Sequence, residues 1–231
     1  MRRFATIGLT CGLVMIFTTT PIKVAMARTE VTAGTSQIDT QVSDERHSAG
    51  WVPTQKQLRA ALLRTSDLPR GFREVAVDSG SIDGLEKGCP IMGEEPAGPV
   101  TGEAHRILAD TRKTVVVSET LAQMSNATAR KTFAQFSRIA TQCRSFSFQS
   151  SVMGIVSVTI TPIKMRKLGA GTAAMRIKAD TDDIDPIYVN SVLVRHNGTL
   201  IFLEHVARQA VSRKITERYA ALAYKKVRIR W

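Results

Sequence analysis

Several things are scarce in this chain of 231 residues. It has 3 cysteines, 2 tryptophans and 6% aromatic side chains, and 20 acidic residues stand against 32 basic ones, a formal charge of +12. So few cysteines leave no pattern for zinc, iron–sulfur or thiol redox chemistry. So few aromatics, with basic side chains spread along the chain and no nucleic-acid motif, leave no focused nucleic-acid footprint. Glycine and proline, at 15 and 8 residues, are too few for a collagen-like or low-complexity chain, and 43% apolar side chains suffice for an ordinary core. No apolar run reaches the roughly 20 residues that a bilayer span needs. This length builds one domain, at most two small ones.

An export signal comes first. Arg2 and Arg3 precede the apolar stretch Phe4–Phe17, and Ala25-Met26-Ala27 offers the small residues that a signal peptidase reads. Residues 1–27 are therefore expected to be a Sec-type signal peptide, cut after Ala27. The alternatives are a retained anchor, for which the apolar stretch is short, and a lipoprotein at Cys11, where Gly8-Leu9-Thr10 lacks the usual small residue ahead of the cysteine. Arg2-Arg3 does not continue into a twin-arginine motif. Cleavage removes Arg2, Arg3 and Lys23, leaving 29 of the 32 basic side chains against 20 acidic ones, a charge of +9. It also removes Cys11, and in an oxidising compartment the remaining Cys89 and Cys143 are expected to pair, two buried thiols being the alternative.

Residues 28–53 lack a sustained apolar period and read as a flexible lead-in to a domain at 54–231. Thr54 and Gln57 fit a capping box, and Leu58, Ala61 and Leu62 recur at helical spacing. That helix must stop by Asp67-Leu68-Pro69, since Pro69 disfavours helix at Leu68, Gly71 permits a turn, and Phe72–Val77 reads as a first strand. Residues 78–101, rich in Gly and Pro, form a long loop that the cysteine pair would pin. His105–Ala109 and Val115–Leu121 read as a hairpin. From an N-cap near Ser125, the side chains of Ala129, Phe133, Phe136, Ala140 and Cys143 share one helix face, which aims Cys143 at the core. Val156–Ile160 and Thr172–Ala179 alternate with period two, as half-buried antiparallel strands do. Residues 187–194 and 199–207 flank Asn197-Gly198, the dipeptide of type I′ turns, in a register that sets Asn190 opposite His205. A last helix presents Val211, Ile215, Tyr219 and Leu222 on one face and runs into a basic tail of Lys225, Lys226, Arg228 and Arg230. Adjacent strands with few helices between them give an α+β domain, an antiparallel sheet with about three helices packed on it.

Leu62-Leu63 followed by Asp67-Leu68-Pro69-x-Gly71-Phe72, the Gly88-Cys89-Pro90 turn, the Ala129–Cys143 helix and the Val192–Glu204 hairpin before a C-terminal helix form an ordered set. Over residues 54–225 this set resembles the PknH-like extracellular sensor-domain family of secreted actinobacterial proteins and lipoproteins. The resemblance implies a single domain with a twisted antiparallel sheet, helices on its face and a cleft for an unidentified ligand. The kinase sensor of that family carries two disulfides where this chain can form one, and no kinase motif occurs here.

Three groups of residues are candidates for chemistry. Asp180-Thr181-Asp182-Asp183-Ile184-Asp185 gathers carboxylates but lacks the glycine and glutamate positions of a calcium loop, so a solvated turn is expected. Asn190 and His205 share a sheet face with Val192, Val194, Ile201 and Leu203; such a polar pair lines a binding cleft, or marks where that face meets water. The charge and the basic tail point to an anionic wall polymer or lipid surface as partner, beside an unidentified small-molecule or envelope ligand. No G-x-S-x-G, H-E-x-x-H or cysteine nucleophile is visible, and no catalytic residue, metal or cofactor is expected. The sequence thus reads as a secreted, non-catalytic ligand-binding or sensor-like domain at the cell envelope. A secreted enzyme acting on envelope material, or a basic surface-associating protein, is the alternative.

Overall fold

Capping fixes where the first helix starts. In the computed structural model, which describes residues 52–76, 85–112, 114–151, 153–182 and 184–230, Thr54 donates its amide to the Gln57 side chain (2.8 Å) and accepts the Gln57 amide in return. Helix α1 follows over Gln55–Ala61. The expected signal peptide and residues 28–51 of the lead-in lie outside the described residues. After α1, the Arg64 amide bonds the Asp67 carboxylate (2.7 Å) to make a tight turn, and Gly71 takes a φ of 99° that side chains rarely adopt. Strand β1 spans Phe72–Glu74, ending before Val75, while Val77, the expected end, and residues 78–84 of the loop lie outside the described residues.

The Gly/Pro-rich loop is partly structured. A one-turn helix α2 (Leu85–Gly88) and a 3₁₀ turn (Pro90–Met92) lie on either side of Cys89. Cys89 is bonded to Cys143, 54 residues away, with the Cα atoms 5.7 Å apart. Strands β2 (Val100–Asp110) and β3 (Val115–Met124) extend the expected hairpin, whose turn is closed by the Asp110 carboxylate accepting from the Thr114 amide (2.7 Å) and hydroxyl (2.8 Å). Helix α3 (Asn126–Gln142) starts at the Ser125 cap, as expected, and ends at Cys143. Strand β4 (Ser145–Ser150) is an addition: its alternation rests on Phe146 and Phe148 alone, a weak signal of the kind an edge strand gives.

Strands β5 (Gly154–Pro162), β6 (Gly171–Thr181), β7 (Ile187–His196) and β8 (Thr199–Ala207) complete one antiparallel sheet in the order β1-β2-β3-β8-β7-β6-β5-β4. Helix α3 carries the chain from β3 to the far edge, and the later strands wind back until β8 pairs with β3. The last strand is therefore central, and every residue of it except Ala207 is buried. The β7–β8 register sets Asn190 opposite His205, as expected. The turn is not the one anticipated: Asn197 alone takes a left-handed φ, 52°. Gly198 is needed because a Cβ there would collide with the Met124 carbonyl.

Helices cover both faces of the sheet. On one, α1 and helix α4 (Arg213–Arg230) pack over Leu108, Leu121, Val192, Ile201 and Leu203. On the other, α3 and the disulfide segment cover the strands from β5 to β8, with Phe136 edge-on to Phe202 at 5.7 Å. The packed side of α4 differs from the sequence expectation. Thr216, Tyr219, Ala220, Ala223 and Val227 face the sheet, Ile215 faces solvent, and the basic tail is the helix's own last turns.

Candidate functional site

Strand alternation and register put Arg176, Asn190 and His205 side by side on the α4 face of β6, β7 and β8. The sequence pairing of Asn190 with His205 is thus realised, and the structure adds what it serves. Asn190 is 0% and His205 5% exposed, both roofed by α4. The Asn190 side-chain oxygen accepts from Arg176 Nε (3.0 Å), and its amide donates to the Thr216 hydroxyl (2.9 Å) and the Val211 carbonyl (3.3 Å). Arg176 also donates to the Val211 carbonyl (2.6 Å). The Thr216 hydroxyl donates to the Ser212 carbonyl (3.1 Å) and lies 3.0 Å from His205 Nδ1. The Thr216 hydroxyl thus links the Ser212 carbonyl, the Asn190 amide and the His205 ring. Burial pushes the His205 pKa down to about 4, so the ring is neutral at pH 7, and it packs on Tyr219 at 5.4 Å. These bonds fasten the start of α4 to the middle of the sheet.

A second polar anchor holds α1. The Leu63 amide donates to the buried carboxylate of Glu119 (2.5 Å), while the Leu63 carbonyl accepts from Arg106 Nη1 (2.9 Å). Glu119 and Arg106 are register partners on β3 and β2. Burial raises the Glu119 pKa to about 7, against the Leu63 amide, Lys226 and Arg106, which lower it. Nearby, Lys226 donates to Asp67. Burial works to raise the Asp67 pKa, but the bonds from Lys226 and the Arg64 amide prevail and hold it below the usual carboxylate range. The Leu62–Phe72 motif is thereby accounted for as architecture: buried leucines, an aspartate tied to α4, and a glycine at a left-handed turn. Sequence reading missed Glu119, although an acid between Val117 and Leu121 at an inward period-two position is a visible signal. Glu204 on the opposite face, between Phe202 and Val206, carries the same signature and accepts from Ser191 (3.3 Å).

With both anchors facing inward, the outward side of α4 is left to solvent. There Lys214, Arg218 and Lys225, with Arg166 from the β5–β6 connection, surround Ala221 and Leu222 in an open groove of about 460 Å³. One acid lies in it, Glu217, which Arg166 Nε approaches to 3.6 Å. Arg213 donates to the Lys164 carbonyl (3.2 Å), tying that connection to the helix. The other face holds a different void, about 20 Å³, between Ile91, Met92, Phe136, Ile139 and Phe202. Gln135 Oε1, in the lining of this void, is buried without a hydrogen-bond partner among the described residues. That volume is about one water molecule's worth.

Of the acidic segment, Asp183 lies outside the described residues. Asp180 pairs with Lys178 at 2.8 Å, and among the described residues no three His, Cys, Asp or Glu side chains come together as a metal site.

In fold the chain is similar to the extracellular domain of PknH from Mycobacterium tuberculosis, a crystal structure, with a TM-score of 0.57 and 12% identity. The match covers 77% of this chain and 96% of that one. No family model and no curated protein sequence matches the chain.

Proposed function

We propose that this protein is an exported, non-catalytic, sensor-like domain that binds an anionic ligand in the groove on the outer side of α4. The carrying observation is the groove's charge: four cations line it, and its one acid is already engaged by Arg166. Cations of one sign on a rigid helix attract and hold anions but supply no acid–base pair for catalysis. Two findings support export, the Cys89–Cys143 bridge, of a kind that persists in oxidising compartments, and the fold shared with an extracellular domain. That fold also supports the sensor-like reading. Asn190 and His205 position the helix that carries the groove; direct contact with a ligand would require α4 to leave the sheet.

Titration of the full-length protein with inorganic polyphosphate, followed by calorimetry at low and at physiological salt, tests the reading. Binding that weakens with salt, and that falls at least tenfold in K214E/R218E/K225E, is expected. Polyphosphate affinity unchanged by that variant would remove the groove from consideration.

A further inference from the structure

The outer side of α4 carries more than charge. Ile215, Leu222 and Ile229 are seven residues apart and so lie along one line of the helix. Ile215 is 45% and Ile229 68% exposed, and Leu222, half-buried against the core, lines the groove. Beside this line runs a second one of exposed cations, Lys214, Arg218, Lys225 and Arg228. Among the described residues only four large apolar side chains are exposed to this degree, and two of them are on this stripe. The opposite side of the helix is fully used, through Thr216, Tyr219, Ala220, Ala223 and Val227.

A soluble polyanion would engage the cationic line and leave the isoleucines in water. A bilayer surface engages both, with headgroup phosphates against the lysines and arginines and the isoleucines in the acyl boundary. Fourteen helical residues make each stripe about 20 Å long, enough to meet several headgroups at once. No helix among the described residues is long and apolar enough to cross a membrane. The bonds of Arg176, Asn190 and His205 at its start and of Lys226 to Asp67 near its end hold α4 in place beforehand, so docking orders no new backbone.

We infer that α4 is a docking surface for an anionic lipid bilayer, with the Ile215–Leu222–Ile229 line entering the headgroup boundary beside the Lys214–Arg228 row. This rests on the anionic-ligand reading of the groove and names its occupant.

Sedimentation of the full-length protein with vesicles of phosphatidylcholine alone, and of phosphatidylcholine with phosphatidylglycerol, tests it. Binding to the phosphatidylglycerol vesicles is expected, and it falls by well over 100-fold in K214E/R218E/K225E, since losing three cations at about 1 kcal/mol each near such a surface already gives roughly 100-fold. I215S/I229S lowers it roughly tenfold while leaving polyphosphate affinity as in the parent protein. The neutral variant K214Q/R218Q/K225Q, with a melting temperature equal to the parent's, falls between parent and charge reversal. Vesicle binding unaffected by I215S/I229S, or equal on both vesicle types, would overturn lipid docking and leave the anionic-ligand reading standing. Charge reversal without effect on either vesicles or polyphosphate would overturn both.

Discussion

The two faces of the sheet use polar groups in opposite ways. Beneath α1 and α4, buried polar side chains are spent on fastening helices: Asn190, His205, Arg176 and Thr216 hold one end of α4, and Glu119 and Arg106 grip the Leu63 backbone. Beneath α3 the chief fastening is covalent, through Cys89–Cys143, beside one bond from the Ala97 amide to the buried Thr132 hydroxyl (3.2 Å), and a buried carbonyl of Gln135 goes without a partner beside a void of about one water. The difference teaches where a ligand can go. Among the described residues the α3 side, closed by a crosslink, lines a void of about 20 Å³, whereas α4, held from within, turns Lys214, Arg218 and Lys225 outward into a groove of about 460 Å³.

Breaking each kind of fastening separately should expose the contrast. The largest effect is expected from reducing the disulfide, which closes a loop of 54 residues; the chain-entropy model gives about 4 kcal/mol, seen as a lower melting temperature under thiol. A melting temperature insensitive to thiol would mean that packing alone holds the α3 side.

Next in size is a pH effect confined to the α4 side. The Glu119 pKa is raised to about 7 in the folded protein from an ordinary 4.5, so its contribution is fully present below pH 4.5 and is lost as pH rises through 7, about 3 kcal/mol in all. His205 runs the other way: lowered to about 4 from 6.5, it contributes fully above pH 6.5 and loses that contribution as pH falls through 4. The two slopes oppose each other where the windows overlap. Urea unfolding across this range should show stability rising more steeply with pH in Glu119→Gln than in the parent protein. Parallel profiles would contradict the burial assigned to Glu119.

Thr216→Val removes the hydroxyl shared by Asn190, His205 and Ser212 and leaves buried groups unpaired, a loss of about 2 kcal/mol that urea titration would measure. The smallest effect is expected at Gln135. Gln135→Leu removes an unpartnered buried carbonyl together with the exposed bond that the Gln135 amide donates to Glu94 (3.0 Å), and should change stability by less than about 1 kcal/mol. A loss clearly above that would show that an ordered water completes the carbonyl.

Much of this architecture is written locally in the sequence. The Thr54–Gln57 capping box, the Ser125 cap, the period-two strands and the Asn197-Gly198 hairpin each encode an element through near neighbours, and the hairpin register alone places Asn190 against His205. Cys143 was legible too, because the α3 spacing aims it inward. What escaped depends on contacts distant in sequence. The packed side of α4 is marked by Thr216, Ala220 and Ala223, whose weak hydrophobic signal is overridden by a hydroxyl that bonds strands β7 and β8. Ile215 gave a stronger signal and pointed to the wrong side for packing, whereas Tyr219 and Leu222 of the same expected face do pack against the core, Leu222 in part. The same misfit makes the outer stripe conspicuous once the helix is placed.

Backbone amide shifts of the full-length, ¹⁵N-labelled protein on addition of inorganic polyphosphate test the central claim most directly, that binding belongs to the outer side of α4. Shifts centred on Arg166, Lys214, Arg218 and Lys225, with Met92, Gln135 and Phe136 unmoved, are predicted. Shifts gathered around Met92, Gln135 and Phe136, with α4 silent, would contradict it.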